Sequence, residues 1–357
     1  MKQRDFPRVG ILPSGPQDAI TDVGEIRVGH CTLSDGPIQT GVTVVVPNDD
    51  PLLKRPLAAT VVFNGFGKSM GLMQIAELGC LETPLALTNT LSVGTVATAQ
   101  IRNAIARHPE IGREWPTVNP LVLECNDGYL NDIQALAVGT EHYEAALGAA
   151  GRHFEQGSTG AGRGMSCFQL KGGIGSASRV AACGERTYAV GALVLSNFGK
   201  AEQCLLDGRA VGGLLKERLS RLDADAAAIS TPEKGSIIMI LATDAPLDIA
   251  QLGRLARRAG NGLARTGSIY GHGSGDVAVC FSTAQHLPWP EQNEAVPLPH
   301  APDCWLDSLF QAAAEATEQA IFKALFLAEP VVGRDGHLRR TIWEVLPEWR
   351  DITRKNW

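Results

Sequence analysis

Residues 233–244 read EKGSIIMILATD. Two charges give way to Gly235-Ser236, and then to an apolar run that closes at Thr243-Asp244. An uninterrupted run of this kind predicts a strand over 236–243, covered on both faces. Its first residue has two readings. Gly235-Ser236 is a turn feeding a strand, or the chain is cut there and Ser236 is the nucleophile that cuts it. The dipeptide alone carries little, because Gly-Ser occurs five times, ending at Ser158, Ser176, Ser236, Ser268 and Ser274. Position adds more. A hydroxyl heading a rigid strand is held firmly yet lies at the strand's mouth. The preceding glycine tolerates backbone conformations that bring Oγ to the carbonyl before it. A cut would free an α-amine of pKa about 7.7–8.0 beside Oγ, able to take its proton near neutral pH.

Outward from this run, Val- and Ile-rich segments bounded by Gly, Pro or Asn predict further strands. They lie near 25–33, 41–46, 58–63, 85–88, 120–125, 172–182, 187–196 and 276–282. Helical spacing predicts helices over 68–79, 93–108, 140–150, 247–264 and 303–328, with Thr140 as a cap. Their irregular alternation fits a layered α/β or α+β sandwich. No internal repeat is visible. Residues 200–234 are dense in charge and read as an exposed, partly irregular connection that ends just before Ser236.

Composition narrows the class. The chain has 357 residues, enough for one large domain or two small ones. Net charge is -6 with no long basic run, which argues against nucleic-acid or anionic-membrane partners. No apolar run reaches membrane-spanning length, and the first thirty residues lack a signal-peptide core. A cytoplasmic protein is expected. Eight cysteines include no C-x-x-C pair, so neither a structural zinc site nor a disulfide framework is expected. No H-E-x-x-H occurs, and no metal or cofactor is called for.

Four further stretches bear on chemistry. In TGSIYGHGSGDVAVCFST (266–283), Ser274 and Asp276 are two apart and share a side if the chain is extended. A hydroxyl oriented by a carboxylate relays or positions a proton; a tight turn of small residues is the plainer account. His272 reads as a turn residue. In LVLECNDGYLND (121–132), Glu124 emerges from an apolar run and needs a cation or water, either a substrate ammonium or an ordinary ion pair. In VGALVLSNFGK (190–200), Asn197 ends a strand, where its amide donates to an oxyanion or caps the next turn. GSTGAGRGMS (157–166) and KGGIGSAS (171–178) fit neither a dinucleotide nor a phosphate loop; both read as close backbone approach to a ligand or a neighbouring strand.

GSIIMILATDAPL (235–247) resembles the self-processing start of the small subunit in the L-aminopeptidase/D-esterase family, which includes D-aminopeptidases and β-peptidyl aminopeptidases. DAITDVGEIRVGH (18–30), GVTVVVP (41–47), NGFG (64–67), LTNTLSVG (87–94), ECNDGYLND (124–132), KGGIGSASR (171–179), SNFG (196–199), LARRAGNGLARTGS (255–268) and GHGSGD (271–276) resemble family segments in the same order. The likeness runs from about residue 9 to the end.

The resemblance implies an αββα four-layer sandwich, like the N-terminal-nucleophile hydrolases but differently connected. It implies one domain, 1–357, cleaved between Gly235 and Ser236 into 1–235 and 236–357, commonly as a tetramer of such pairs. Ser236 would be the nucleophile, Ser274 and Asp276 would assist it, and Asn197 would donate to the oxyanion. Glu124 would hold the substrate's free amino group, with Asn126 beside it. The expected activity is release of N-terminal residues from short peptides, amino-acid amides or esters. The rivals are an acyltransferase resembling ornithine acetyltransferase, which uses threonine where Ser236 stands, and an uncleaved ligand-binding protein.

Overall fold

The computed structural model describes residues 6–222, 235–290 and 295–354. Strands form where the apolar runs predict them: β1 (Arg27–Asp35), β2 (Ile38–Val46), β3 (Lys54–Gly65), β4 (Leu85–Asn89), β5 (Leu121–Cys125), β6 (Gly173–Cys183), β7 (Arg186–Asn197), β8 (Ser236–Thr243) and β9 (Gly275–Pro288). One sheet has the order β1-β2-β4-β5 and the other β3-β9-β8-β7-β6. Strand β8 is thus central, parallel to β9 and antiparallel to β7. Strand β9 outruns its apolar segment because its far end pairs with β3 again after a break, His286 against Pro56 and Pro288 against Lys54.

The helices of seven or more residues among the described residues are α1 (Leu72–Leu78), α2 (Val93–Arg107), α3 (Thr140–Gly148), α4 (Gly212–Leu222), α5 (Ile249–Arg265) and α6 (Leu306–Phe326). Helix α1 is shorter than its pattern, because Met70 pairs with Val122 of β5 before the helix opens. Thr140 is the first helical residue of α3 and not its cap; Gly139 caps, with its N–H donating to His142 Nδ1 at 2.8 Å. Asp248 caps α5 through the N–H of Gln251 at 2.7 Å. Helix α4 adds an ordered element to 200–234, read from the sequence as an exposed, partly irregular connection. Its charges surround a buried Leu215, and Arg218 reaches Glu348 to dock it. Residues 223–234 of that connection lie outside the described residues.

Strand periodicity sorts β8 into two faces. Ile238, Ile240 and Ala242 meet Val45, Leu85, Leu87 and Leu123 between the sheets. Ile237, Met239 and Leu241 meet Leu252, Leu255, Ala259 and Phe322 of α5 and α6. On the far side, Val42, Val44 and Val122 pack on Val96, Ala97 and Tyr143 of α2 and α3. The order of layers is therefore αββα. Gly175 explains how tightly α6 seats: a Cβ there would stand 1.9 Å from the carbonyl oxygen of Ala320. The loop at 157–162 likewise abuts its neighbours, with the Gly157 N–H donating to the Ile174 carbonyl at 2.7 Å.

Each large side chain fully buried on β8 contributes about 1.5–3 kcal/mol. Ile240 is fully enclosed between the sheets. Ile240→Ala should therefore lower stability by about 2–5 kcal/mol, read as a fall in the urea midpoint with an unchanged slope.

Candidate active site

Ser236 opens β8 and is buried, with only 4% of its surface exposed. The register sets Asn197, the last residue of β7, across it on one side and Gly275, the first of β9, on the other. Ser236 Oγ donates to the Gly235 carbonyl at 2.7 Å and accepts the Gly275 N–H at 3.3 Å. The hydroxyl thus lies against the peptide bond that precedes it.

Ser274 and Asp276 bracket Gly275. The extended spacing read from the sequence holds, for Ser274 Oγ donates to Asp276 Oδ1 at 2.6 Å and both residues are buried. Asn64, paired with Asp276 on β3, secures the turn before them. Its Nδ2 donates to the carbonyls of Gly271 at 3.1 Å, His272 at 3.2 Å and Ser274. His272 is exposed and tilts against Phe66, in keeping with a turn residue.

Asn197 is held at both ends of its carboxamide. Its Oδ1 accepts the Ser166 N–H at 2.8 Å, and its Nδ2 donates to the Asn126 carbonyl at 2.9 Å. It turns to these two loops and not to the turn that follows it. A carboxamide nitrogen carries two protons, so one remains for a further acceptor. Asn126 serves this arrangement through its backbone; its own side-chain oxygen accepts the Gly128 N–H at 2.9 Å.

Glu124 comes from the other sheet. It is 2% exposed near the end of β5. Oε1 accepts the Lys68 N–H at 2.8 Å, and Oε2 accepts the Thr90 hydroxyl. Among the described residues it has no ion-pair partner; Lys68 Nζ stands instead over the Phe66 ring at 4.3 Å. The loop 66–68 joins the two halves of the site. A Cβ on Gly275 would lie 3.0 Å from Gly67 Cα, and one on Gly67 would lie 3.5 Å from Glu124 Oε1. Glycine at both positions lets a backbone run directly from the hydroxyl's neighbour to the carboxylate.

The sequence reading assigned no role to Asn64, Lys68, Thr90 or Ser166. NGFG and LTNTLSVG were visible as segments, and Asn64 and Thr90 lie inside them. Cys125, next to Glu124, is no rival nucleophile: burial, with Glu124 and Asp276 nearby, pushes its thiol well above the usual range. Among the described residues, no three His, Cys, Asp or Glu side chains gather as metal ligands, and no helix is long and apolar enough to cross a membrane.

Comparison with known proteins agrees with this architecture. The profile of peptidase family S58 matches residues 18–339. The chain is 36% identical over 341 residues to the Beta-peptidyl aminopeptidase BapA of Sphingosinicella microcystinivorans, covering 90% of this chain and 85% of that protein. Among solved structures, a Burkholderia sp. beta-aminopeptidase superposes with a TM-score of 0.86 at 37% identity, covering 98% of each chain. The L-aminopeptidase D-Ala-esterase/amidase of Ochrobactrum anthropi, described as a prototype for the serine aminopeptidases and a new variant among the Ntn hydrolase fold, gives a TM-score of 0.86 at 31% identity. It covers 97% of this chain and 98% of its own.

A buried carboxyl behind Asn126 sets a pH dependence. Asp127 accepts from Asn131 Nδ2 at 3.0 Å, and burial pushes it up to about 7 against hydrogen bonds from Thr40 and Asn131. The folded state therefore holds this proton more tightly than the unfolded chain, whose carboxyl titrates near 3.9. Its contribution to stability should fall as pH rises from about 4 to about 7 and stay level above that. Asp127→Asn should flatten that segment of the Tm–pH curve.

Proposed function

The chain belongs to peptidase family S58, and from that membership we propose that it matures by cutting itself before Ser236 and then uses Ser236 as its nucleophile. It is a hydrolase, a serine aminopeptidase. The observation that carries the proposal is the hydrogen bond from Ser236 Oγ to the Gly235 carbonyl, made at the head of a strand fixed on both sides.

In the first stage Oγ adds to the Gly235 carbonyl carbon. The tetrahedral intermediate collapses with loss of the bond to the Ser236 nitrogen, which takes the hydroxyl's proton and becomes the α-amine. Water then hydrolyses the ester, leaving 1–235 with a carboxylate and 236–357 with a free hydroxyl and amine. In the second stage the amine accepts the Oγ proton as Oγ attacks the carbonyl of a substrate's N-terminal residue. The leaving amine or alcohol departs with a proton, and water releases the acyl group.

Geometry supports the remaining roles. Asn197 donates to the oxyanion, since its Nδ2 carries two protons and the Asn126 carbonyl takes one of them. Ser274 and Asp276 assist the nucleophile across the shared register. Glu124 receives the substrate's ammonium, with Asn126 beside it, because a buried carboxylate held by two neutral donors lacks a countercharge. Substrates are then short peptides, amino-acid amides or esters with a free amine, in line with the names of the relatives. The reading also takes the protein to be one domain of two cleaved pieces, assembled as a tetramer of pairs in the cytoplasm. Exposed apolar side chains such as Met73 and Ile269 offer surface for such assembly.

Ser236→Ala should abolish both the cut and the hydrolysis of amino-acid p-nitroanilides. A denaturing gel and mass spectrometry read the first: the native chain gives two bands, the smaller starting at Ser236. A native chain that is active and intact overturns the proposal. Glu124→Gln should raise KM for free-amine substrates roughly 10–100-fold, the worth of one charge-assisted hydrogen bond, while sparing self-cleavage. Equal damage to both would remove Glu124 from the amine site.

A further inference from the structure

Lys171 is a lysine with no exposed surface, and the roles above do not use it. Its Nζ donates to three backbone carbonyls: Gly162 at 2.9 Å, Met165 at 2.8 Å and Gly172 at 2.7 Å. Three carbonyl acceptors at these distances match the three protons of an ammonium ion. Burial pulls its pKa well below the usual lysine value, and Arg163 and Arg339 act in the same direction while Cys167 and Asp127 oppose them.

The carbonyl of Met165 and the N–H of Ser166 belong to one peptide group. That N–H is the donor to Asn197 Oδ1, at 2.8 Å. The same carbonyl also accepts the Gly172 N–H at 3.0 Å. A cation at the oxygen of a peptide withdraws electron density from its nitrogen and strengthens the N–H as a donor. A stronger donor at Oδ1 withdraws density from the Asn197 carboxamide in turn and strengthens its Nδ2 protons. One of these meets the Asn126 carbonyl at 2.9 Å. The links run without a gap from Lys171 Nζ through the Met165–Ser166 peptide to the Asn197 carboxamide.

We infer that Lys171 is a positioning residue for Asn197: through the Met165–Ser166 peptide, its ammonium orients the carboxamide and sharpens it as the oxyanion donor. The inference rests on the reading of Asn197 as that donor. It predicts an effect on the step in which negative charge develops, and none on capture of the substrate's ammonium by Glu124. The purely structural alternative is that Lys171 only satisfies the carbonyls of a tight turn.

A double-substitution cycle on the purified, mature enzyme separates the two, with kcat counted per 236–357 chain. Asn197→Ala should lower kcat by roughly 10²–10³. Lys171→Met should lower kcat on the order of tenfold, a fraction of that loss, with KM unchanged. Added to Asn197→Ala, Lys171→Met should cost little more, because the carboxamide it acts through is gone. If Asn197→Ala leaves kcat intact, the oxyanion reading falls and takes this inference with it. If Asn197→Ala is damaging but Lys171→Met is silent, or equally costly in both backgrounds, only the role of Lys171 falls.

Should Lys171→Met fail to fold, the native enzyme carries the test. Met165 is the sole methionine followed by serine. Carbonyl-¹³C methionine with ¹⁵N serine therefore labels a single peptide bond, and its amide proton should resonate far downfield. On alkaline titration that resonance should move upfield in step with a loss of kcat. A resonance that stays fixed while kcat falls overturns the inference.

Discussion

The site depends on the register of β8 in the middle of its sheet. Side chains alternate along a strand, so a slip of one residue would carry Ile238, Ile240 and Ala242 from the inter-sheet layer to the helical layer and reverse their neighbours. Both layers are packed, which makes that slip costly in either direction. The same packing that fixes the strand also fixes its first residue. Ser236 stands across from Asn197 and Gly275 because Thr243, seven residues on, stands across from Val190 and Ser282.

This constraint would reconcile the proposed cut with a precise site. Strand β8 is held by hydrogen bonds to β7, which precedes the Gly235–Ser236 bond in the chain, and to β9, which follows it. Neither ladder needs that bond. The contacts between 1–235 and 236–357 include the β3–β9 ladder and the seating of α6 on β6. A cut would therefore give the new terminus local freedom without loosening the strand it heads. Glu124 belongs to the other sheet, and the two sheets meet across an apolar layer that transmits position and no charge. The loop 66–68 supplies the polar link, by passing its backbone over Gly275 and giving the Lys68 N–H to the carboxylate.

The architecture was legible because its strands announce themselves twice, by apolar runs and by the small residues that end them. Where the two signals part, the reading failed. The last residues of β9 pair beyond Ser282–Gln285, where the apolar run breaks off, and α4 carries its apolar residues among charges behind Gly212-Gly213. At the site, Ser236 and Asn197 stood out because each interrupts an apolar run at its end. Asn64, Thr90 and Ser166 offered no such contrast. Their importance lies in partners far along the chain, such as the carbonyl of Gly271 for Asn64 or the carboxamide of Asn197 for the Ser166 N–H. A polar residue in a loop reads alike whether or not it meets such a partner. Only the fold brings them together.

Lys171 shows the same limit in its sharpest form. Its segment fits no phosphate loop, and the lysine meets backbone instead of a phosphate. Taking an ammonium ion out of water costs several kcal/mol even after relaxation, so its burial needs a return. Three inward-facing carbonyls supply part of it, since each would otherwise be buried without a strong donor. A methionine in the same volume would pack but would give those oxygens no charged donor, leaving the Met165 carbonyl only the Gly172 N–H at 3.0 Å and the Gly162 carbonyl only the Met165 N–H at 3.3 Å. Yet a turn with inward carbonyls is itself an unusual thing to build, and here one of them shares a peptide with the N–H that holds Asn197. The turn, the lysine and the carboxamide thus form one continuous run of donors and acceptors that ends beside Ser236. Each link accounts for the cost of the one before it, and the last is the only one with a proton still to give.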